Sequence, residues 1–214
     1  MEKIDRDYFD PNMNGINKNK VEDILEEDEE ILVSLTPNKK VYILEAIFKG
    51  LPIVLLWAAI DTFVIVMMAN SGFFANSWAV IFVIAFFALH LIPVWMYIVN
   101  IVRRVAGYKN LQYYLTNKRL IIRNGLIGID FKIFYYSDIA SLTVKVGIFD
   151  RLFKVGDLYI ISINQSAVLD DIENPYFYLS KIQKIVQDIK TDIAFPNNLR
   201  PEENSGYKTK YNPK

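Results

Sequence analysis

Cysteine is missing from all 214 residues, and histidine occurs once, at His90. The first absence excludes disulfide staples, thiol nucleophiles and every thiolate-ligated metal or iron–sulfur centre. The second removes multi-histidine metal sites and the HExxH proteases. There is also no GxxxxGK[ST] phosphate loop, no GxGxxG fingerprint and no GxSxG elbow. Catalysis would have to rest on carboxylate, Lys, Ser or Tyr chemistry without a motif. The chain therefore reads as a non-enzyme, with no cofactor and no metal site. Its 24 Lys and Arg balance 24 Asp and Glu, which leaves no overall charge to draw in nucleic acid.

What is present in quantity is apolar surface, and it is concentrated. The sequence is 52% hydrophobic and 14% aromatic, with most of that weight between residues 43 and 102. The N-terminus does not read as a signal peptide, because it has no basic start and no early apolar stretch. It carries "VEDILEEDEEI" instead, a run expected to form a solvated acidic surface. Residues 1–28 are predicted to be an acidic, largely disordered tail, with a short helix or strand after about residue 20. Residues 29–45 form a juxtamembrane segment.

"LPIVLLWAAIDTFVIVMMA", residues 51–69, holds one charge and would extend roughly 28 Å as a helix, close to the hydrocarbon thickness. "WAVIFVIAFFALHLIPVWMYIVNIV", residues 78–102, is longer and contains Pro93, where a kink is expected. The charge-free "NSGFFANS" between them is short enough only for a turn. A transmembrane hairpin over residues 46–106 follows. Lys39, Lys40 and Lys49 precede it, Arg103, Arg104 and Lys109 follow it, and the connecting loop has no Lys or Arg. That asymmetry predicts a multi-pass protein of the inner membrane with both termini cytoplasmic. Trp78 would mark the outer interface, and Trp95 and Tyr97 the inner one.

After Gly107 the pattern changes. "LQYYLT" and "RLIIRN" read as strands joined by an Asn117-Lys118 turn, and Asn124-Gly125 marks the next turn. "FKIFYY", "IASLTVKVG", "LYIISI" and "AVLDDI" read as further strands, with a loop or helical turn at "IFDRLFKVGD". "NPYFYLSKIQKIVQDIKTDI" then places Ile182, Ile185, Val186, Ile189 and Ile193 on one helical face. About six short strands and one amphipathic helix outline an α+β domain over residues 107–195, a small curved barrel or sandwich capped by a C-terminal helix. Residues 196–214 are predicted to be a disordered tail.

"YYLTNKRLIIRNGLIG", "YYSDIASLTVKVGIFDRLFKVGDLYI" and the terminal helix resemble the bacterial pleckstrin-homology-like domain of YdbS-like membrane proteins. "DEEILVSLTPNKKVYIL" resembles the segment that precedes the membrane hairpin in that family. The resemblance covers roughly residues 29–190 and implies a PH-like fold without enzymatic activity. Phosphoinositide-binding PH domains use basic residues near the first hairpin, and Lys118, Arg119 and Arg123 occupy a comparable hairpin here. The spacing differs from the lipid-binding motif, so the resemblance implies no lipid specificity.

Two sets of residues stand out as candidate sites. Asp61 and His90 fall near the middle of the two apolar runs, at matching depth in an antiparallel hairpin. An ionisable group there costs on the order of 3 kcal/mol unless it meets a partner or water. The pair could hydrogen-bond to each other, respond to protons or ions, or contact another subunit. Lys118, Arg119 and Arg123 could be solvated with Arg119 tied to Asp138 or Asp157, could rest on anionic headgroups, or could line a groove for a protein. The reading that follows is a membrane-anchored, non-catalytic adaptor or scaffold that presents its cytoplasmic domain to a protein partner or membrane complex. The alternatives are a subunit of an ion- or lipid-handling complex that uses Asp61 and His90, or an anionic-lipid-binding module. The partners expected are the bilayer, an unidentified membrane or cytoplasmic protein, and a second copy of the chain, with no nucleic acid.

Overall fold

The computed structural model describes residues 20–195 apart from 27 and 76. The expected C-terminal tail and residues 1–19 of the N-terminal one lie outside the described residues. The first apolar run forms one helix, α1 (Lys39–Asn70), started by Asn38, whose side chain accepts the N–H groups of Lys40 and Val41. It is long and apolar enough to cross a membrane. The second run is two helices, α2 (Ser77–His90) and α3 (Ile92–Gly107). They meet at a 48° bend and are long enough to cross only if counted as one broken span. Pro93 explains the bend, because it has no N–H to return to the previous turn and its ring crowds the carbonyls before it. At the break, the His90 carbonyl accepts the Trp57 indole N–H at 3.1 Å. Leu55, Phe63, Phe82 and Leu89 lie exposed along these helices, a surface unlike a soluble core.

The returning helix meets α1 in antiparallel order: Tyr97 reaches Ile47, donating its hydroxyl to the Ile47 carbonyl at 2.7 Å, while His90 lies against Trp57. Gly50 permits a close approach, since a Cβ there would overlap the Tyr97 ring. The hydroxyl bond fixes that ring, so it has no easy escape. Gly50→Val is expected to cost about 1–3 kcal/mol, seen as a lower unfolding midpoint in detergent. Most of the loss should return in Gly50→Val/Tyr97→Ala. No recovery would show that the crowding lies elsewhere.

The remaining chain forms two antiparallel sheets and a capping helix. The first has the order β1 (Ile31–Leu35), β2 (Gln112–Thr116), β3 (Arg119–Asn124) and β4 (Asp130–Tyr135); the second has β5 (Ile139–Lys145), β6 (Val155–Ser162) and β7 (Ser166–Glu173). The segment before α1, expected from the sequence to be juxtamembrane, supplies an edge strand, with Ser34 opposite Tyr114 and Leu35 opposite Tyr113. Between the sheets lie Tyr113, Leu120, Phe134, Tyr136, Leu158 and Leu169, all essentially solvent-free. A second, smaller cluster forms on the outer face of the first sheet, where Val21 and Ile24 cover Tyr114 and Ile121. Strands β2 and β3 are therefore buried on both faces, which is why Leu120, Ile121 and Ile122 are apolar in succession and do not alternate with polar residues. A short helix, α4 (Ile148–Phe153), leads into β6, and α5 (Pro175–Ala194) closes the domain. Ile182 and Val186 are buried, with Ile185 and Ile189 partly so, but Ile193 is exposed. The last turn of α5 runs past the core.

Candidate functional site

The Asn117-Lys118 turn is a clamp on the acidic N-terminal segment. Asn117 Oδ1 accepts the Glu30 N–H at 3.1 Å, and its Nδ2 donates to the Asp28 carbonyl at 3.0 Å. Lys118 Nζ lies 2.6 Å from Glu26 Oε2. Arg119 is buried, with Nε donating to Glu29 Oε1 at 2.9 Å and Nη2 to Glu29 Oε2 at 2.7 Å. Nη2 also reaches the Ile24 carbonyl at 2.7 Å, and the Thr116 hydroxyl donates to Glu29 Oε1 at 2.7 Å. Burial pushes the Glu29 carboxyl up, but the bonds from Arg119, Thr116 and the Glu26 backbone outweigh it and hold it below its ordinary value. The expected acid partners of Arg119, Asp138 and Asp157, are replaced by Glu29, about ninety positions away in sequence. The acidic run is likewise more than a solvated surface, since Glu29 is buried in it.

The third basic residue sits elsewhere. Arg123 pairs in register with Gln112, at the end of β2 next to α3, and its Nη1 donates to Gln112 Oε1 at 3.2 Å. Five residues of extended strand separate that end from the turn, roughly 17 Å. Lys118 and Arg119 are thus at the end of the sheet remote from the helices, and Arg123 is at the near one.

In the helices, Nε2 of His90 lies 3.1 Å from Asp61 Oδ1. Trp57 and Asp61 are one turn apart on α1, so both face the bend. The imidazole stacks on Trp57 at 5.3 Å and on Phe86 at 5.1 Å between ring centres. Asp61 is buried, and its Oδ2 has no hydrogen-bond partner among the described residues. The arrangement is a polar contact inside an aromatic slot. It joins α1 to α2 at the point where the second apolar run is broken.

The domain is fastened to both helices. Tyr108 donates its hydroxyl to the Pro37 carbonyl at 2.9 Å, and the Asn38 N–H donates to the Asp171 carbonyl at 2.9 Å. The two helices are joined to each other at the same level, where the Arg104 guanidinium of α3 stacks 4.1 Å above the Tyr42 ring of α1. Phe48 of α1 packs on Phe149 of α4 at 4.9 Å, and Asn110 Nδ2 donates to the Gly125 carbonyl at 3.0 Å.

At the same junction lies a group of acids that the sequence did not single out. Glu45, Asp150 and Asp171 come together from α1, α4 and β7. A bulge positions the third: Gly156 pairs with Ile172 but Leu158 with Leu169, so Asp170 and Asp171 share one opposing residue, Asp157. Asp171 adopts a left-handed φ of 48°, and its N–H donates to Asp157 Oδ1 at 3.0 Å. Burial, then Asp157, Glu45 and the other acids, pushes Asp171 up to about 8; burial and Asp157 push Asp170 up to about 6. The available signal was the pair "DD" inside an apolar strand, where regular alternation must turn one carboxylate inward.

A family model described as Bacterial PH domain matches residues 43–192, which takes in nearly all of α1, both later helices and the domain from β2 into α5. No curated protein and no solved structure gives a significant match. PH-like domains are as a rule non-catalytic modules, and on that membership the chain is non-catalytic. With more than half its length inside the match, and in keeping with the YdbS-like resemblance, the protein belongs to the bacterial PH domain family.

Proposed function

We propose that this is a membrane-anchored, non-catalytic adaptor whose PH-like domain is displayed at the cytoplasmic face in one fixed pose. The observation that carries the reading is the fastening of the domain to the ends of α1 and α3 by Tyr108, Asn38, Phe149 and Asn110. A domain needed only near the membrane would be served by a flexible tether. The elements bonded to the helix ends also carry exposed apolar residues, Ile148 and Leu152 on α4 and Ile127 in the β3–β4 turn. Such residues at that level suit the lipid interface. Lys118 and Arg119 belong to the clamp on the N-terminal segment, so lipid contact in this reading falls to those apolar residues and the juxtamembrane cations. The side left for a partner includes β5, an edge strand beside α5, with an open groove lined by Ser141, Leu142, Gln183 and Gln187. An extended segment of a partner protein would add to that edge.

Two measurements test this. The chain has no cysteine, so Ser71→Cys and Ser205→Cys each give a single label site. An impermeant thiol reagent on intact cells should reach Ser71→Cys and miss Ser205→Cys; the reverse would overturn the orientation. Affinity capture in detergent with the wild type should enrich the same protein repeatedly, and Ser141→Arg or Gln187→Arg should lose it. Equal capture by all three chains would remove the groove from the reading.

A further inference from the structure

Three carboxylates from three separate elements converge at the junction of helix and domain: one oxygen each of Glu45, Asp150 and Asp171 lie within 4.8 Å of one another. Asp150 and Asp171 are each 1% exposed. One oxygen of Asp150, Oδ2, accepts the Gly147 N–H at 2.7 Å. Asp150 Oδ1 and both oxygens of Asp171 are sealed from solvent and have no hydrogen-bond partner among the described residues. Ionised carboxylates buried without donors are among the most unfavourable groups in a protein interior. Among the described residues no Lys or Arg forms an ion pair with Asp150 or Asp171, and Arg104 acts on Asp171 only at longer range. Lys49 reaches only Glu45 Oε2, at 2.7 Å, with most of its side chain in solvent. Arg104 is held on the Tyr42 ring. Asp157 adds a further carboxylate beside Asp171.

We propose that Glu45, Asp150 and Asp171 bind a hard divalent cation of calcium size, which ties α4 and β7 of the domain to α1. The donor set is all oxygen, with no imidazole or thiolate, and selects a hard ion over zinc or copper. Calcium over magnesium follows from the kind of donors. Three protein carboxylates in a buried site supply the many-oxygen, partly bidentate shell that calcium takes, whereas magnesium dehydrates reluctantly and seldom occupies a site built wholly of protein groups. Asp171, with both oxygens unengaged, is placed to bind in bidentate fashion, and water would complete the shell. The site depends only on the acids and their burial, so it stands whether or not the adaptor reading does.

The test uses the full chain in detergent, stripped with EDTA and titrated with calcium chloride in a calorimeter. The expected result is saturable binding of one calcium per chain, with magnesium at least about 10-fold weaker, and a higher unfolding midpoint in calcium. Asp171→Asn and Glu45→Gln should each weaken calcium binding by about 10-fold or more. Circular dichroism checks that both variants fold. Asp171→Asn keeps the side chain's shape and puts a neutral amide where a carboxyl is crowded by other acids, so without calcium it should unfold no earlier than the wild type. Absence of saturable binding to the wild type overturns the site, and that measurement stands even if a variant fails to fold. Undiminished binding in both folded variants also overturns it, and would assign the ion to the acidic N-terminal run.

Discussion

Arg119→Ala is expected to destabilise the folded chain by on the order of 3–5 kcal/mol, although the residue lies far from the helices and from the junction acids. The size follows from what the substitution leaves behind. Glu29 has a fully buried side chain, and three of its bonds to Arg119 would vanish together. A carboxylate would stay in the interior with only the Thr116 hydroxyl and the Glu26 N–H as donors. Removing both partners is a different experiment. Glu29→Leu/Arg119→Met places apolar volume where the pair was, and it should recover most of the loss, because desolvating two charges offsets much of their attraction. Denaturation midpoints in detergent of the wild type, Arg119→Ala and the double variant decide it. A double variant as unstable as Arg119→Ala would mean that the loss comes from packing against Ile24 and Tyr135, with little from the charge.

The same pair sets a pH signature. Glu29 is held below its ordinary value in the folded state. Its ionised form therefore stabilises the fold above the usual carboxylate range, near about 4.3, and that contribution is lost as pH falls through the lowered folded value. The acids at the junction titrate in the opposite sense, so the useful quantity is a difference. The gap in midpoint between wild type and Glu29→Gln should be constant at neutral pH and close as the solution becomes acidic. A gap that widens on acidification would show that Glu29 is not the ionised partner.

What the sequence made legible was local. The Asn117-Lys118 turn, the helical stripe through Ile182 and Val186 and the break at Pro93 each depend on neighbours within a few positions. Their signals survive in a single chain read from end to end. Contacts that join distant segments left no such trace. Strand β1 pairs with β2 across the whole helical region, and nothing in "ILVSL" names its partner. The acid for Arg119 was sought among nearby aspartates and proved to be Glu29, because charge type alone does not specify which of many carboxylates the fold brings close. Glu45 lies farther still in sequence from Asp150 and Asp171. Their convergence needs the bulge at Asp170 and Asp171, which shifts register by one residue without changing composition. The basic hairpin shows the limit best. In sequence its three cations read as one candidate surface, whereas β2 carries Lys118 and Arg119 away from the helix end, and only Arg123 returns to it.

Replacing His90 by Leu is the second change expected to have a large effect. It removes the imidazole that faces Asp61 Oδ1, in a carboxylate whose other oxygen already lacks a partner among the described residues. An aspartate without a partner in the middle of an apolar helix costs about 3 kcal/mol, so His90→Leu should lower the unfolding midpoint in detergent steeply. Asp61→Leu alone should cost less, because the imidazole it leaves remains stacked between Trp57 and Phe86. The double change, Asp61→Leu/His90→Leu, removes both polar groups from the slot and should be milder than the sum of the two. Polar contacts between membrane helices measured in this way average about 0.6 kcal/mol, since the unfolded helices also find partners in lipid. The aromatic slot excludes most alternatives here, and a coupling of about 1–2 kcal/mol is expected. Trp57→Phe separates the side-chain contact from the bend. It keeps an aromatic ring against His90 but deletes the indole bond to the His90 carbonyl, so it should loosen the break and leave the Asp61–His90 coupling in place. Strict additivity of the two Leu substitutions would end the idea of an interacting pair. Loss of coupling in the Trp57→Phe background would instead show that the bend, held by Trp57, is what brings Asp61 and His90 together.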